Sequence, residues 1–162
     1  MKLRSPRLVF PLAALVSLAL LLPAVAARAG GVRAIDPAEA ECLALAMYFE
    51  ARAEGREGMR AVGHVILNRR ADDRFPASVC GVVQEGGPGR GCQFSWYCDG
   101  RSDVPTHRRS WRIVGGIAYQ LLADRLEDTT GGALFYHATW IDVPWKRART
   151  KTTVIGQHAF YR

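Results

Sequence analysis

Two acids, Glu50 and Glu54, interleave with two arginines, Arg52 and Arg56, in the stretch YFEARAEGRE at 48–57. Residues four apart share a helix face, where a like-charged pair is unfavourable by roughly 0.2–0.5 kcal/mol. Gly55 is a natural helix stop, so both carboxylates fall near the negative end of the helix macrodipole. Leu43 and Met47 precede Glu50 at spacings of four and three, which sets Glu50 along an apolar stripe. A carboxyl beside apolar groups, a second carboxylate and a helix C-terminus is expected to hold its proton above the ordinary carboxylate range. A glutamate protonated near neutral pH is a general acid, and one use of that chemistry is to protonate the oxygen of a glycosidic bond. The plain alternative for Glu50 is a surface acid on an amphipathic helix. Glu54 either helps keep Glu50 protonated or pairs with an arginine. Arg52, about 200° around the helix from Glu50, reads as structural or as a bridge to another element.

Other polar groups are spread more thinly. Gln93 and Ser95 can donate and accept hydrogen bonds, as sugar hydroxyls and acyl groups require. Phe94, Trp96 and Tyr97 offer flat apolar faces on which a pyranose ring could rest, although some of these rings must pack the loop itself. Tyr136 and His137 are neighbours in an expected strand, so at most one faces a cleft, and Tyr136 is the better substrate contact. His158, just past a glycine turn, reads as structural. Asn68 either caps the end of its helix or reaches the site. The four histidines (64, 107, 137 and 158) include no i, i+4 pair, and no compact Cys or Asp set completes a zinc site, so no metal or other cofactor is expected. The Gly-x-Ser-x-Gly signature of a serine nucleophile is absent.

The elements that must position these groups follow from pattern. Asp36, Pro37 and Glu39 form a strong helix start, and the helix should run to about Ala53. A second helix is predicted over 56–70, with Met59, Val62, Gly63 and Ile66 on its buried stripe. Gly58 and Gly63 each cost about 1 kcal/mol of helix propensity, which close helix packing would explain. Pro76 is expected to open a short helix through Val83. Residues 85–91, EGGPGRG, are too rich in glycine to be regular, and 92–100 should be an aromatic, cross-linked loop. Thr106 is expected to cap a third long helix over about 107–126, and 133–138 and 151–162 read as strand. The fold class is α+β, mostly helical, with a small antiparallel C-terminal β-sheet and the cleft between the two parts.

The first residues have another character. Lys2, Arg4 and Arg7 precede an apolar run over 8–22, and AVA and ARA at 24–29 are small-x-small cleavage signals. Residues 1–29 are therefore expected to be a signal peptide, 30–35 a short leader and 36–162 one domain; the apolar run is shorter than the roughly 20 residues of a spanning helix. With Arg28, this segment holds four basic residues and no acid, so more than half of the +7 formal charge belongs to it. Nucleic-acid binding loses its main support, whereas a mild residual charge suits an anionic cell-envelope polymer. All four cysteines (42, 80, 92 and 98) lie beyond the leader, and an even count in an exported chain reads as disulfides. Of the three pairings, Cys42–Cys80 with Cys92–Cys98 is favoured because the second closes a short loop, and such pairing leaves no thiol nucleophile.

The segments CLALAMYFEARAEGREGMRAVGHVILNRR, FP at 75–76, VCGVV at 79–83, CQFSWYCDG at 92–100, ALFYHA at 133–138 and TTVIGQHAFYR at 152–162 resemble the SleB/CwlJ cell wall hydrolase family. The resemblance covers nearly all of the chain after the leader. It implies a lysozyme-like helical core, peptidoglycan glycan strands as the partner, Glu50 as the catalytic acid in the family's Glu-Ala-Arg-x-Glu motif, and the QFS segment in the glycan cleft. Ala53 departs from the glycine usual in the family. The expectation that follows is an exported, monomeric peptidoglycan hydrolase, secreted or periplasmic, that cuts between N-acetylmuramic acid and N-acetylglucosamine as a lytic transglycosylase. The substrate-binding set would be Glu54, Gln93, Phe94, Ser95 and Tyr136. Were water the nucleophile instead, a second carboxylate would be needed, from Glu54, Asp99 or Asp103. An amidase cutting the stem peptide and a non-catalytic wall-binding module are the rival readings.

Overall fold

The first helix begins where the chain supplies its own cap. In the computed structural model, which describes residues 34–87 and 91–162, helix α1 spans Pro37–Ala51 and the Asp36 carboxylate accepts from the Ala38 N–H at 2.9 Å. The expected signal peptide and residues 30–33 of the expected leader lie outside the described residues. Glu39 does not close a capping box on its own helix. Its carboxylate accepts from the Val79 and Cys80 N–H groups, at 2.7 and 3.2 Å, and so caps the short helix α3 (Val79–Val83) from across the core. Ser78, not Pro76, is the local cap of α3, its hydroxyl accepting from Gly81 N–H at 3.0 Å. Within one turn of Glu39, the Cys42–Cys80 disulfide joins the same two helices, with Cα atoms 5.2 Å apart.

Helix α1 stops two residues earlier than expected. The Glu54 N–H reaches back to the Ala51 carbonyl, and Gly55 takes the left-handed φ of +70°, which starts helix α2 at Gly55–Arg70. Leu43 and Met47 are fully buried on α1 against Met59, Val62 and Ile66 of α2. Gly63 marks the closest approach: a Cβ there would lie 2.8 Å from Met47 Sδ and nearer still to Leu121 Cδ1. Leu121 belongs to helix α4 (Arg108–Leu122), which packs on both α1 and α2. The cap of α4 is His107 rather than Thr106, because the His107 ring accepts from Ser110 N–H at 3.2 Å. The helix also ends four residues short of expectation, where Asp124 adopts φ 54°. Among the described residues no helix is long and apolar enough to cross a membrane.

Strands β3 (Phe135–Ala138), β4 (Lys151–Ile155) and β5 (His158–Tyr161) form an antiparallel sheet in the order β3-β5-β4. The segment 151–162 is thus a hairpin that reverses at Gly156, φ +57°. Phe160 carries the sheet onto α2 by packing against Ala61 and Val65. The glycine-rich stretch is more regular than expected: β1 (Gly86–Gly87) pairs with β2 (Gly91–Cys92). The Cys92–Cys98 disulfide then closes the loop around a 3₁₀ turn at Ser95–Cys98.

Candidate active site

Glu50 sits in the last turn of α1, where the helix meets the sheet. Its Oε2 accepts a hydrogen bond from the Tyr136 hydroxyl of β3 at 3.0 Å. The two residues share a cleft of about 330 Å³ with Arg69 from α2 and with Gln93 and Ser95 from the disulfide loop. Ile141 and Val143, from the turn after β3, complete one wall. Burial pushes the Glu50 carboxyl above the usual range, partly offset by the Tyr136 hydrogen bond and the Arg69 charge. Burial also drives the Tyr136 phenol well above its ordinary value, reinforced by the nearby Glu50 carboxylate, so Tyr136 stays a donor.

Arg69 was not singled out by the sequence reading. It is 2% exposed, and its Nε donates to the Leu134 carbonyl at 2.7 Å. Its guanidinium lies over the rings of Phe75, Phe94 and Phe135, 5.4–5.9 Å from their centroids. Nη1 has no hydrogen-bond partner among the described residues. A signal was present: Arg69 falls three residues after Ile66 and seven after Val62, on the buried stripe of α2. An arginine at such a position has to be held by something beneath it.

The other expected site residues divide. Gln93, Ser95 and Tyr136 line the cleft with Glu50. Phe94 does not: at 2% exposure it is a core residue, tilted against Trp96. Trp96 is likewise buried, stacked on Phe49 at 4.8 Å, while Tyr97 remains exposed. Glu54 lies beyond the helix end, and its Oε2 accepts from the Gln157 N–H at 2.8 Å, bracing the β4–β5 turn. It is not among the cleft-lining residues and does not contribute to the shift at Glu50, which comes from burial. Neither Asp99 nor Asp103 lines the cleft; the Asp99 carboxylate accepts from Arg101 N–H.

Both Tyr136 and His137 border the cleft, against the expectation that only one would. Strand β3 is an edge strand of its sheet. His137 Nδ1 donates to the Ala138 carbonyl at 2.9 Å, and its Nε2 lies 3.0 Å from the Tyr161 hydroxyl. His158 also lines the cleft, edge-on to Tyr136 at 5.3 Å, and burial lowers its proton affinity. Asn68 neither caps nor reaches the cleft; its amide donates to Asp128 and to the Ala133 carbonyl, at 3.0 and 3.1 Å. Arg52 lies over the Tyr48 ring, 5.1 Å from its centroid. No three His, Cys, Asp or Glu side chains converge as a metal-holding group among the described residues.

Two larger hollows, of about 580 and 560 Å³, lie at the start of α1 and beside Trp111. The acids of the first, Asp36 and Glu39, are occupied as helix caps, and the second is lined by Pro105, Trp111 and two arginines. The smaller cleft is lined by Glu50, whose proton affinity burial raises.

The profile of the cell wall hydrolase family matches residues 53–161, beginning just after Glu50. The spore cortex-lytic enzyme of Bacillus subtilis is 34% identical over 119 residues, covering 73% of this chain and 35% of that protein. The spore cortex-lytic enzyme of Halalkalibacterium halodurans is 33% identical over 126 residues, covering 74% of this chain and 33% of that protein. The chain thus spans about a third of the length of these relatives. The solved catalytic domain of the germination-specific lytic transglycosylase SleB from Bacillus anthracis superposes with a TM-score of 0.63 at 29% identity, covering 80% of this chain and 98% of that one. The catalytic domain of Bacillus cereus SleB gives 0.61 at 28% identity, covering 80% and 94%.

Proposed function

The chain belongs to the cell wall hydrolase family, and we propose that it is an exported lytic transglycosylase that cuts peptidoglycan glycan strands with Glu50 as its single acid and base. One observation carries the reading: a carboxyl whose proton affinity is raised by burial, in a cleft that no second carboxylate lines among the described residues. Glu50 gives its proton to the oxygen linking N-acetylmuramic acid to N-acetylglucosamine, and the bond from that oxygen to the muramic anomeric carbon breaks. The muramic acid's own 6-hydroxyl then bonds to that carbon, and its proton returns to the Glu50 carboxylate. Atoms balance without water, and the product is a 1,6-anhydro end.

The Tyr136 hydrogen bond and the Arg69 charge favour the ionised carboxylate that exists between the two proton transfers. Burial favours the acid that starts the cycle. Gln93 and Ser95 are exposed on the loop closed by Cys92–Cys98 and line the cleft, and in this reading they bind sugar hydroxyls and acyl oxygens. The reading also takes 1–29 as a cleaved signal peptide, 36–162 as a catalytic domain that works as a monomer, and the cell envelope, secreted or periplasmic, as the site of action. The lytic transglycosylase named among the solved relatives supports the bond and the reaction type.

The test is mass spectrometry of fragments released from purified sacculi by wild type and by Glu50→Gln. The expected result is anhydro ends from the wild type and a rate loss of about 10²–10⁴-fold in the variant, the usual contribution of a general acid. Reducing ends would assign the attack to water, and freed peptides would move the cut to the amide. Full activity of Glu50→Gln would remove Glu50 from the mechanism.

A further inference from the structure

The cleft that holds Glu50 is about 330 Å³, at the small end of ligand clefts, which run from roughly 300 to 1,000 Å³. A polymer longer than the reacting linkage must therefore continue over the rim. One rim is the turn that follows β3. Its base is pinned to the sheet, with Thr139 N–H donating to the Gln157 carbonyl at 2.8 Å and Ile141 N–H to the Ala138 carbonyl at 2.9 Å. Beyond it, Asp142 pairs with Lys146. Ile141 is part of the cleft wall.

Trp140 stands between these two pinned residues and is 66% exposed; Ile141 beside it is 49% exposed. The other three tryptophans are all packed on rings: Trp96 on Phe49, Trp111 on Tyr48 and Trp145 on Phe135. A lone exposed apolar side chain needs no explanation. A large ring on a fixed turn, continuous with an isoleucine that lines the cleft, is a different case. A pyranose has an apolar face of C–H groups that fits an aromatic surface and leaves its hydroxyls in water, and tryptophan is the residue most enriched at binding hot spots.

We propose that Trp140 and Ile141 form a sugar-binding platform at the cleft rim, which holds a pyranose of the glycan strand beyond the one being cut. This rests on the glycosidase reading above. The platform adds affinity for a long strand and contributes nothing to the proton transfers at Glu50.

The experiment compares wild type, Trp140→Ala and Trp140→Tyr on purified sacculi and on a tetrasaccharide of two disaccharide repeats. In parallel, co-sedimentation with sacculi compares Glu50→Gln alone and combined with Trp140→Ala. Trp140→Ala is expected to raise the half-saturating concentration of sacculi about tenfold, with turnover at saturation unchanged on both substrates. Trp140→Tyr is expected to recover most of the loss, and the combined variant to sediment about tenfold more weakly than Glu50→Gln alone. Equal sedimentation, unchanged half-saturation, or a fall in turnover at saturation would overturn the platform while leaving the glycosidase reading intact. A wild type that releases no glycan fragments from sacculi would overturn that reading, and the platform with it.

Discussion

The Tyr136 hydroxyl donates to Glu50 Oε2 at 3.0 Å across 86 residues of chain, joining the end of α1 to the edge strand β3. This bond opposes the burial that raises the proton affinity of Glu50, because a hydrogen bond to a carboxylate stabilises its charged form. A group that must release a proton and then take one back needs both influences.

Removing the bond with Tyr136→Phe should raise the proton affinity of Glu50 further. A hydrogen bond to a charged group is worth about 1.5–3 kcal/mol. Wild-type activity should fall as pH rises through the folded pKa of Glu50, as the acid form disappears. In Tyr136→Phe that alkaline limb should move up, while turnover below it drops because the acid gives up its proton less readily. A pH–rate profile with an unmoved limb would show that Tyr136 does not act on Glu50.

Arg69 should act in the same sense by charge instead of hydrogen bonding. Arg69→Met removes the cation, so the alkaline limb is expected to rise; Arg69→Lys keeps the charge and should leave the limb nearer its original place. Both variants leave the Leu134 carbonyl without its 2.7 Å partner, a loss of about 1–3 kcal/mol in stability. Matching limbs in the Met and Lys variants would assign Arg69 to packing alone.

Glu50 should also make stability depend on pH. Its folded pKa lies above the ordinary value of 4.5, so the unfolded chain loses this proton first. The stabilising contribution is full below that value and is lost as pH rises through the folded pKa. Glu50→Gln, which cannot ionise, is expected to melt with the wild type at acid pH and above it near neutrality. Thermal melts across that range check the sign: a variant less stable than wild type at neutral pH would mean that the buried carboxylate is well compensated.

Much of this site could be read from spacing. Glu50 follows Leu43 and Met47 on one stripe, and local periodicity shows that directly. The partners of Glu50 were harder to see because they come from β3, α2 and the disulfide loop, and one sequence carries no signal for which strand edge meets which helix end. Phe94 shows the limit: its segment is short, and only the fold decides which rings turn inward. Glu54 leaves the face it was expected to share with Glu50 for a local reason. Gly55, with φ +70°, ends the helix and swings Glu54 off the shared face toward Gly156, where the tight glycine turn leaves room for its carboxylate. Glu54→Ala should therefore cost about 1 kcal/mol through the lost bond to Gln157 N–H, with activity retained below the melting range. Lost turnover at unchanged melting temperature would return Glu54 to the chemistry.

The attachment of α3 to α1 gives the last prediction. Helix α3 has five residues, far too few to hold together alone. Glu39 caps it through two backbone N–H groups, and Cys42–Cys80 ties it down one turn further along α1. Losing a capping side chain costs about 0.5–2 kcal/mol. The bridge closes a separation of 38 residues, for which chain entropy gives about 4 kcal/mol. Both devices hold the same short helix, whose Val79 and Val82 pack in the core, so the two should not be independent. Glu39→Ala in a Cys42→Ala, Cys80→Ala background is expected to cost more than in the disulfide-bonded protein. Urea unfolding midpoints of the four proteins measure the coupling, and simple additivity would show that cap and bridge act on separate parts of the fold.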